Sequence, residues 1–341
     1  HVDQQVRNVK DGIIFVHADI DLDLLAFLRI DDAAQGQGNA GPLILLDAAV
    51  VMRLEIGHAR ILIQGIRLQV QTRGIDVGRA DVRACKCLEH IAIDLRLPFD
   101  AHAAQKSSTI LYDLRCMQAL PNLRSIDIRV NERPGYRAKV QLDLSAIETL
   151  EQFCGAYQLV NGIENSVHLK TLRVRGVRAQ NLDIFKKLIS LDTAYISFSS
   201  TESLAGLENF QRLQCLYLIN NRRLQDINAL RCVKDSLHAL RIENCSQIQD
   251  FSVLGELNEL ELLELSGQNA LPSLAFIRNM PNLKTLIFSM NVLDGDLSPC
   301  RNLLWAYSER NRKHYNLRDD DLPKSIFCRG NENIALWRRL E

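Results

Sequence analysis

The sequence predicts an α/β solenoid: stacked short coils, each supplying one parallel β-strand on a concave face and a short helical or irregular return segment on the convex side. Three observations predict it. First, an apolar triplet with one, four, six spacing recurs in register at Leu169/Leu172/Val174, Leu191/Ala194/Ile196, Leu213/Leu216/Leu218, Leu237/Leu240/Ile242, Leu260/Leu263/Leu265 and Leu283/Leu286/Phe288. Second, the first positions step by 22, 22, 24, 23 and 23 residues, and a fixed period of that size marks a repeat architecture. Third, the ninth position carries Ser199, Asn221, Cys245, Gln268 and Asn291, with Val177 departing from the pattern. A side chain there can bond the backbone of neighbouring coils that the turn would otherwise bury unpaired. Cys245 is accordingly a ladder residue rather than a reactive thiol, since a thiol buried in apolar surroundings is inert.

Taken in order, the first segment, residues 1–105, differs in chemistry from the rest. Lys stands only at 10 and 86, Glu only at 55 and 89, and Tyr and Trp are missing over residues 1–105. Apolar alternation in Ile61–Gln71, Ile75–Val82 and Ile91–Leu97 predicts strands, and the glycines of Gln35–Gly41 a loop. Two readings stand: a strand-rich accessory domain, or a stretch not selected as protein, such as an out-of-frame translation joined to the repeats. Residues 106–311 form the repeat array. It opens with a copy at Leu123/Ile126/Ile128, followed by Asn131, and closes with a degraded copy at Leu303/Ala306/Ser308, followed by Asn311. Between them the register is lost over 132–165. There Asn131–Gly135 reads as a turn, Ala138–Leu144 alternates, and Ile147–Val160 is helix-like, so the region is an enlarged repeat or a hairpin insertion. Residues 312–341, with Trp337, are expected to cap the apolar end of the stack.

The segment Leu213-Gln-Cys-Leu216-Tyr-Leu218-Ile-Asn-Asn221 matches the strand consensus of the leucine-rich repeat. The returns Leu224–Leu230 and Ile248–Leu254 leave room for about one helical turn. With the Asp-Ile and Asp-Phe steps that follow the strand, the chain resembles the internalin-like class of bacterial leucine-rich repeats over roughly residues 110–311. The resemblance implies the fold and a role in holding a protein partner. Internalins are exported and often surface-attached, whereas nothing here matches an export signal or wall anchor.

Composition narrows the function further. Forty-one basic residues balance 41 acidic ones, so the global basic field that replaces counterions on nucleic acid is missing. No apolar run approaches the length of a membrane span; Pro42–Met52 is short and carries Asp47. Nine cysteines without framework spacing lean toward a reducing, cytoplasmic setting, although export stays open because the sequence starts at His1. Dinucleotide, phosphate-loop, serine-hydrolase and zinc-protease motifs are missing, so neither an enzyme nor a cofactor is expected. Cys85, Cys87, His90 and His102 form the best metal-like set, but Cys-x-Cys is looser than a zinc knuckle. Asp319-Asp320-Asp321 reads as a solvated cap rather than a cation site.

Strand residues three, five and seven point away from the core. Position five runs Asp127, Arg173, Tyr195, Tyr217, Arg241, Glu264, Ile287 and Tyr307; position seven includes Arg129, Arg175, Ile219 and Glu243. Arg173, Arg175, Tyr195, Tyr217, Ile219, Arg241, Glu264 and Tyr307 are therefore the candidate partner-binding residues, because Tyr and Arg dominate binding hot spots. The expected function is a monomeric, non-enzymatic module that binds a protein through its concave face. The alternatives are a targeting module for an enzyme or effector, and an internalin-type surface adhesin.

Overall fold

The computed structural model describes residues 13–17, 48–56, 59–72, 88–96, 108–131 and 136–325. The Cys85, Cys87 and His102 positions, the 35–41 loop, the 75–82 alternation, the turn at 132–135 and Trp337 lie outside the described residues. The chain divides into two compact units, His1–Ser166 and Val167–Glu341.

The first unit contains β1 (Ile13–His17), β2 (Ala48–Ile56), β3 (Ala59–Thr72), β4 (Leu88–Arg96), β5 (Ser108–Asp113), β6 (Ser125–Asn131), β7 (Tyr136–Gln141) and β8 (Gln152–Ala156). The alternation at 61–71 and 91–96 thus falls on β3 and β4, which pair antiparallel, as do β2 and β3. From β4 the pairing turns parallel, β4 to β6 and β6 to β8. A second parallel set joins β1, β5 and β7. Strand β4 lies within the 1–105 segment yet pairs along the full length of β6, so a cut at residue 105 strips the neighbour from the first repeat copy.

Residues 136–165 resolve as part of an enlarged coil. Strand β7 is parallel to β5 and β8 is parallel to β6, which excludes a hairpin. The helix-like stretch 147–160 is instead β8 flanked by turns. The triplet is present at Leu150/Phe153/Gly155, with both large residues buried. Glycine at the sixth position hides it, because the Phe153 ring comes within 2.8 Å of where a Cβ on Gly155 would stand.

The second unit is a leucine-rich repeat solenoid. Its strands are β9 (Thr171–Arg175), β10 (Thr193–Ser197), β11 (Cys215–Ile219), β12 (Ala239–Glu243), β13 (Leu262–Ser266), β14 (Ala270–Leu271), β15 (Thr285–Phe288), β16 (Asn291–Val292) and β17 (Trp305–Ser308). Strands β9–β13, β15 and β17 form one parallel run in unbroken register. The return segments hold 3-10 turns, among them Asn228–Val233 and Ser252–Glu256, and no α-helix occurs among the described residues. Leu172, Ala194, Leu216, Leu240, Leu263 and Leu286 stack as one buried column. Fully burying a leucine contributes about 1.5–3 kcal/mol relative to leaving it exposed, so no single coil could assemble such a core alone.

The turn after each of β9–β13 has positive φ. Gly176, Phe198, Asn220, Asn244 and Gly267 occupy that eighth position with φ of 74°, 51°, 56°, 53° and 140°. The N–H groups of Gly176, Phe198, Asn220 and Asn244 donate to Ser197, Ile219, Glu243 and Ser266 carbonyls of the next coil at 2.8–3.0 Å. One residue later runs the side-chain ladder. Ser199 Oγ accepts from Val177 N at 3.2 Å, and Asn221 Oδ1 accepts from Ser199 N at 2.9 Å. Asn221 Nδ2 returns a bond to Ile196 O at 2.9 Å, and Cys245 Sγ reaches Leu218 O at 3.5 Å. Burial pushes the Cys245 thiol up to about 11, consistent with an inert ladder group. Val177, the exception in the column, is buried. In the next coil the ladder residue is Asn269 rather than Gln268. Gln268 is exposed, while Asn269 Nδ2 bonds Cys245 O at 3.2 Å and Ile248 O at 2.7 Å.

The described part of the cap closes the far end. Tyr315 Oη accepts from Val292 N at 3.0 Å, and Asn316 Oδ1 accepts from Leu297 N at 2.8 Å. The acidic triplet works structurally: Asp319 Oδ1 accepts from Ser308 N at 2.7 Å and pairs with Lys324 at 2.8 Å, while Asp321 accepts from Arg318 N at 2.9 Å. Residues 323–325 pair antiparallel with β17 and shield its edge.

Asn221→Ala would leave Ser199 N–H and Ile196 C=O short of a partner inside the stack. It is expected to lower stability by about 2–4 kcal/mol in urea denaturation; an unchanged midpoint would show that the ladder carries no weight.

Candidate functional site

Strand register sets the candidate residues side by side. Arg173, Tyr195, Tyr217, Arg241, Glu264, Ile287 and Tyr307 are consecutive partners in one row across β9–β17. Arg175, Ser197, Ile219, Glu243 and Ser266 make the parallel row two residues on. All eight predicted residues thus fall on the same sheet face.

That face is less open than alternation alone implies. Tyr217 is 4% exposed, Glu264 6% and Ile219 7%, while Arg173, Arg175, Tyr195 and Arg241 are half-buried and Tyr307 is 40% exposed. Strands about 4.8 Å apart press like rows of side chains together. Cys215, Tyr217, Ala239 and Leu262 form a closed apolar cluster with Tyr195 packed against it, and the two tyrosine rings stack at 6.0 Å. Tyr217→Ala would therefore open a void, which makes Tyr195 the cleaner probe of binding. The Tyr217 hydroxyl is buried beside Cys215, and burial raises its pKa well above the ordinary tyrosine value.

Arg241 is the centre of an internal charge network. Its guanidinium meets Glu243 Oε2 at 2.5 Å and Glu264 Oε1 at 3.2 Å. Glu264 and Ser266 are both buried side by side in this network. Burial holds the Glu264 carboxyl above its ordinary value, against the downward pull of Arg241, with Glu243 and Glu309 adding to the rise. At the end of the row, Lys324 Nζ lies 5.5 Å from the Trp305 ring centroid and 5.4 Å from that of Tyr307, a cation–π contact with the cap. No cluster of three metal-ligating side chains occurs among the described residues.

Phe198 was not among the predicted residues. It is 65% exposed and holds a left-handed backbone that costs a bulky residue about 1–2 kcal/mol. The signal was present in the eighth column, where Gly176, Asn220, Asn244 and Gly267 suit positive φ and Phe198 does not.

No protein-family model matches the sequence. No curated protein matches it either. Among solved structures, the chain is similar to an internalin from Listeria monocytogenes, with 18% identity, a TM-score of 0.44, and coverage of 60% of this chain and 68% of that one. It is also similar to the mouse RP105/MD-1 complex, with 15% identity, a TM-score of 0.33, and coverage of 67% of this chain and 39% of that one. A leucine-rich repeat protein from Leptospira interrogans matches at 14% identity and a TM-score of 0.27, over 61% of this chain and 73% of that one. No helix among the described residues is long and apolar enough to cross a membrane.

A raised carboxyl is neutral more readily in the folded chain than in the unfolded one, so its contribution to stability falls as pH rises from the ordinary glutamate value through the folded one. Glu264→Gln removes that term. Wild type should lose melting temperature relative to Glu264→Gln as pH climbs above about 4.5; parallel curves would place Glu264 in a solvated setting.

Proposed function

We propose that the repeats are a protein-interaction module whose partner lies across the strand face from β9 to β13, on the concave side. The observation that carries this reading is the single-register row Arg173–Tyr195–Tyr217–Arg241–Glu264. The row's backbone is fixed by parallel pairing and its opposite face by the leucine column, so little side-chain or loop freedom is lost when a partner binds. Tyr195, Arg173 and Arg175 keep accessible surface, while Tyr217 and Ile219 form the floor beneath them. Aromatic and arginine anchors around a dry centre are the composition of a binding hot spot. The Arg241–Glu243–Glu264 network supplies fixed charges beside that floor and favours a partner of matching polarity. The raised Glu264 carboxyl is read as part of this network and not as a catalytic acid, because ion-pair networks shift carboxyls in the same way.

The test is a quantitative capture from host lysate on the full chain, comparing wild type with the Arg173→Ala/Tyr195→Ala double variant. The partner should be retained about tenfold less or weaker still, with the module still unfolding cooperatively. Equal retention by both proteins would remove the strand face as the binding site.

A further inference from the structure

Phe198 is the one described bulky residue held at positive φ, and the fold does not explain it. In the coils of β9–β13 the eighth position takes positive φ, and the other four meet it with glycine or asparagine. The Phe198 ring gains little burial in exchange, being 65% exposed. Its N–H donates to Ile219 O at 3.0 Å, a backbone bond that asparagine makes equally well at Asn220. The neighbours in its column, Gly176 and Asn220, are small, so nothing large stands beside it in the row. Strain kept at an exposed aromatic is a signature of function rather than of folding.

Cationic side chains outnumber anionic ones around this turn. Arg175 ends β9, Arg178 follows Val177 on the coil before Phe198, and Arg222 follows Asn221 on the coil after it. Both Arg178 and Arg222 are exposed. Ser200 N bonds Val177 O at 2.9 Å and Ser199 N bonds Asn221 Oδ1 at 2.9 Å, which ties the three coils together at this level. The nearby carboxylate, Glu202, is paired with Arg223. An exposed phenyl ring thus projects from a rim whose flanking coils carry an excess of arginine.

We propose that this rim docks an acidic segment of a protein partner, with Phe198 as its apolar anchor and Arg178 and Arg222 as its charge clamps. The arginine excess selects acidic residues, and guanidinium groups bind carboxylates bidentately. The site rests on the reading of the chain as a protein-binding module but not on the strand-face row, so the two surfaces fail separately.

Phe198→Asn separates function from structure, because it suits the backbone and deletes the ring. Its melting temperature should rise by about 2–4 °C. Random peptides displayed on phage and selected on the full chain should be enriched in Asp and Glu. Their synthetic forms should bind Phe198→Asn and the Arg178→Glu/Arg222→Glu double variant about tenfold more weakly or worse. A fall in melting temperature for Phe198→Asn would overturn the strain argument and with it the proposal. Selected peptides without acidic excess, failure to select any, or binding unaffected by these variants would overturn it equally. Peptides lost with Tyr195→Ala but kept by Phe198→Asn would overturn the rim while sparing the strand face.

Discussion

Everything in the second unit depends on one constraint: a coil of 22–24 residues cannot satisfy its own backbone or bury its own apolar face. Stacking resolves both needs at once. The leucine column closes the interior, and the eighth- and ninth-position bonds carry each coil's turn onto its neighbour. Because these bonds join successive coils, the register of the stack also fixes which side chains stand beside which on the sheet face. The row from Arg173 to Tyr307 is a consequence of that register and not of any local motif.

The same stacking explains why the face is both rigid and partly closed. Rows spaced by a strand width press Tyr217 and Leu262 into a dry cluster, while the longer Arg241 bridges Glu243 and Glu264 across it. A partner would meet a surface whose floor is already packed and whose polar groups are already oriented. On the proposed reading, binding would depend on a few accessible side chains at the edge of the cluster, Tyr195 and Arg173 among them. Backbone strain is tolerated at Phe198 because the bonds of its turn to the adjacent coils hold the conformation whatever the side chain.

The fold of residues 167–311 was legible because its signal is columnar. Six triplets in step outweigh any one substitution, and the ladder could be read from Ser199, Asn221 and Cys245 alone. What escaped did so for local reasons. Gly155 replaces the apolar sixth residue and hides the β8 coil, and a second set of parallel strands, β5 and β7, lies outside the triplet grammar. The turn at Gly267, with φ of 140°, moves the ladder one residue on to Asn269. Among candidate site residues, alternation placed all eight on one sheet face but could not give the burial of Tyr217, Ile219 and Glu264, since burial depends on lateral neighbours that only the register supplies. Phe198 was readable in principle, as the residue that breaks its column.

Amide hydrogen exchange along the full chain tests the central claim most directly, that the inter-coil ladder makes the stack one rigid platform. The amides of Val177, Phe198, Ser199, Asn220 and Asn244 all donate to the adjacent coil although they lie outside the strands. The account predicts that they exchange as slowly as the strand amides of β10–β12, by opening of the stack as a unit. Exchange at the rate of ordinary surface turns, while the strands stay protected, would mean that each turn opens independently and would contradict it.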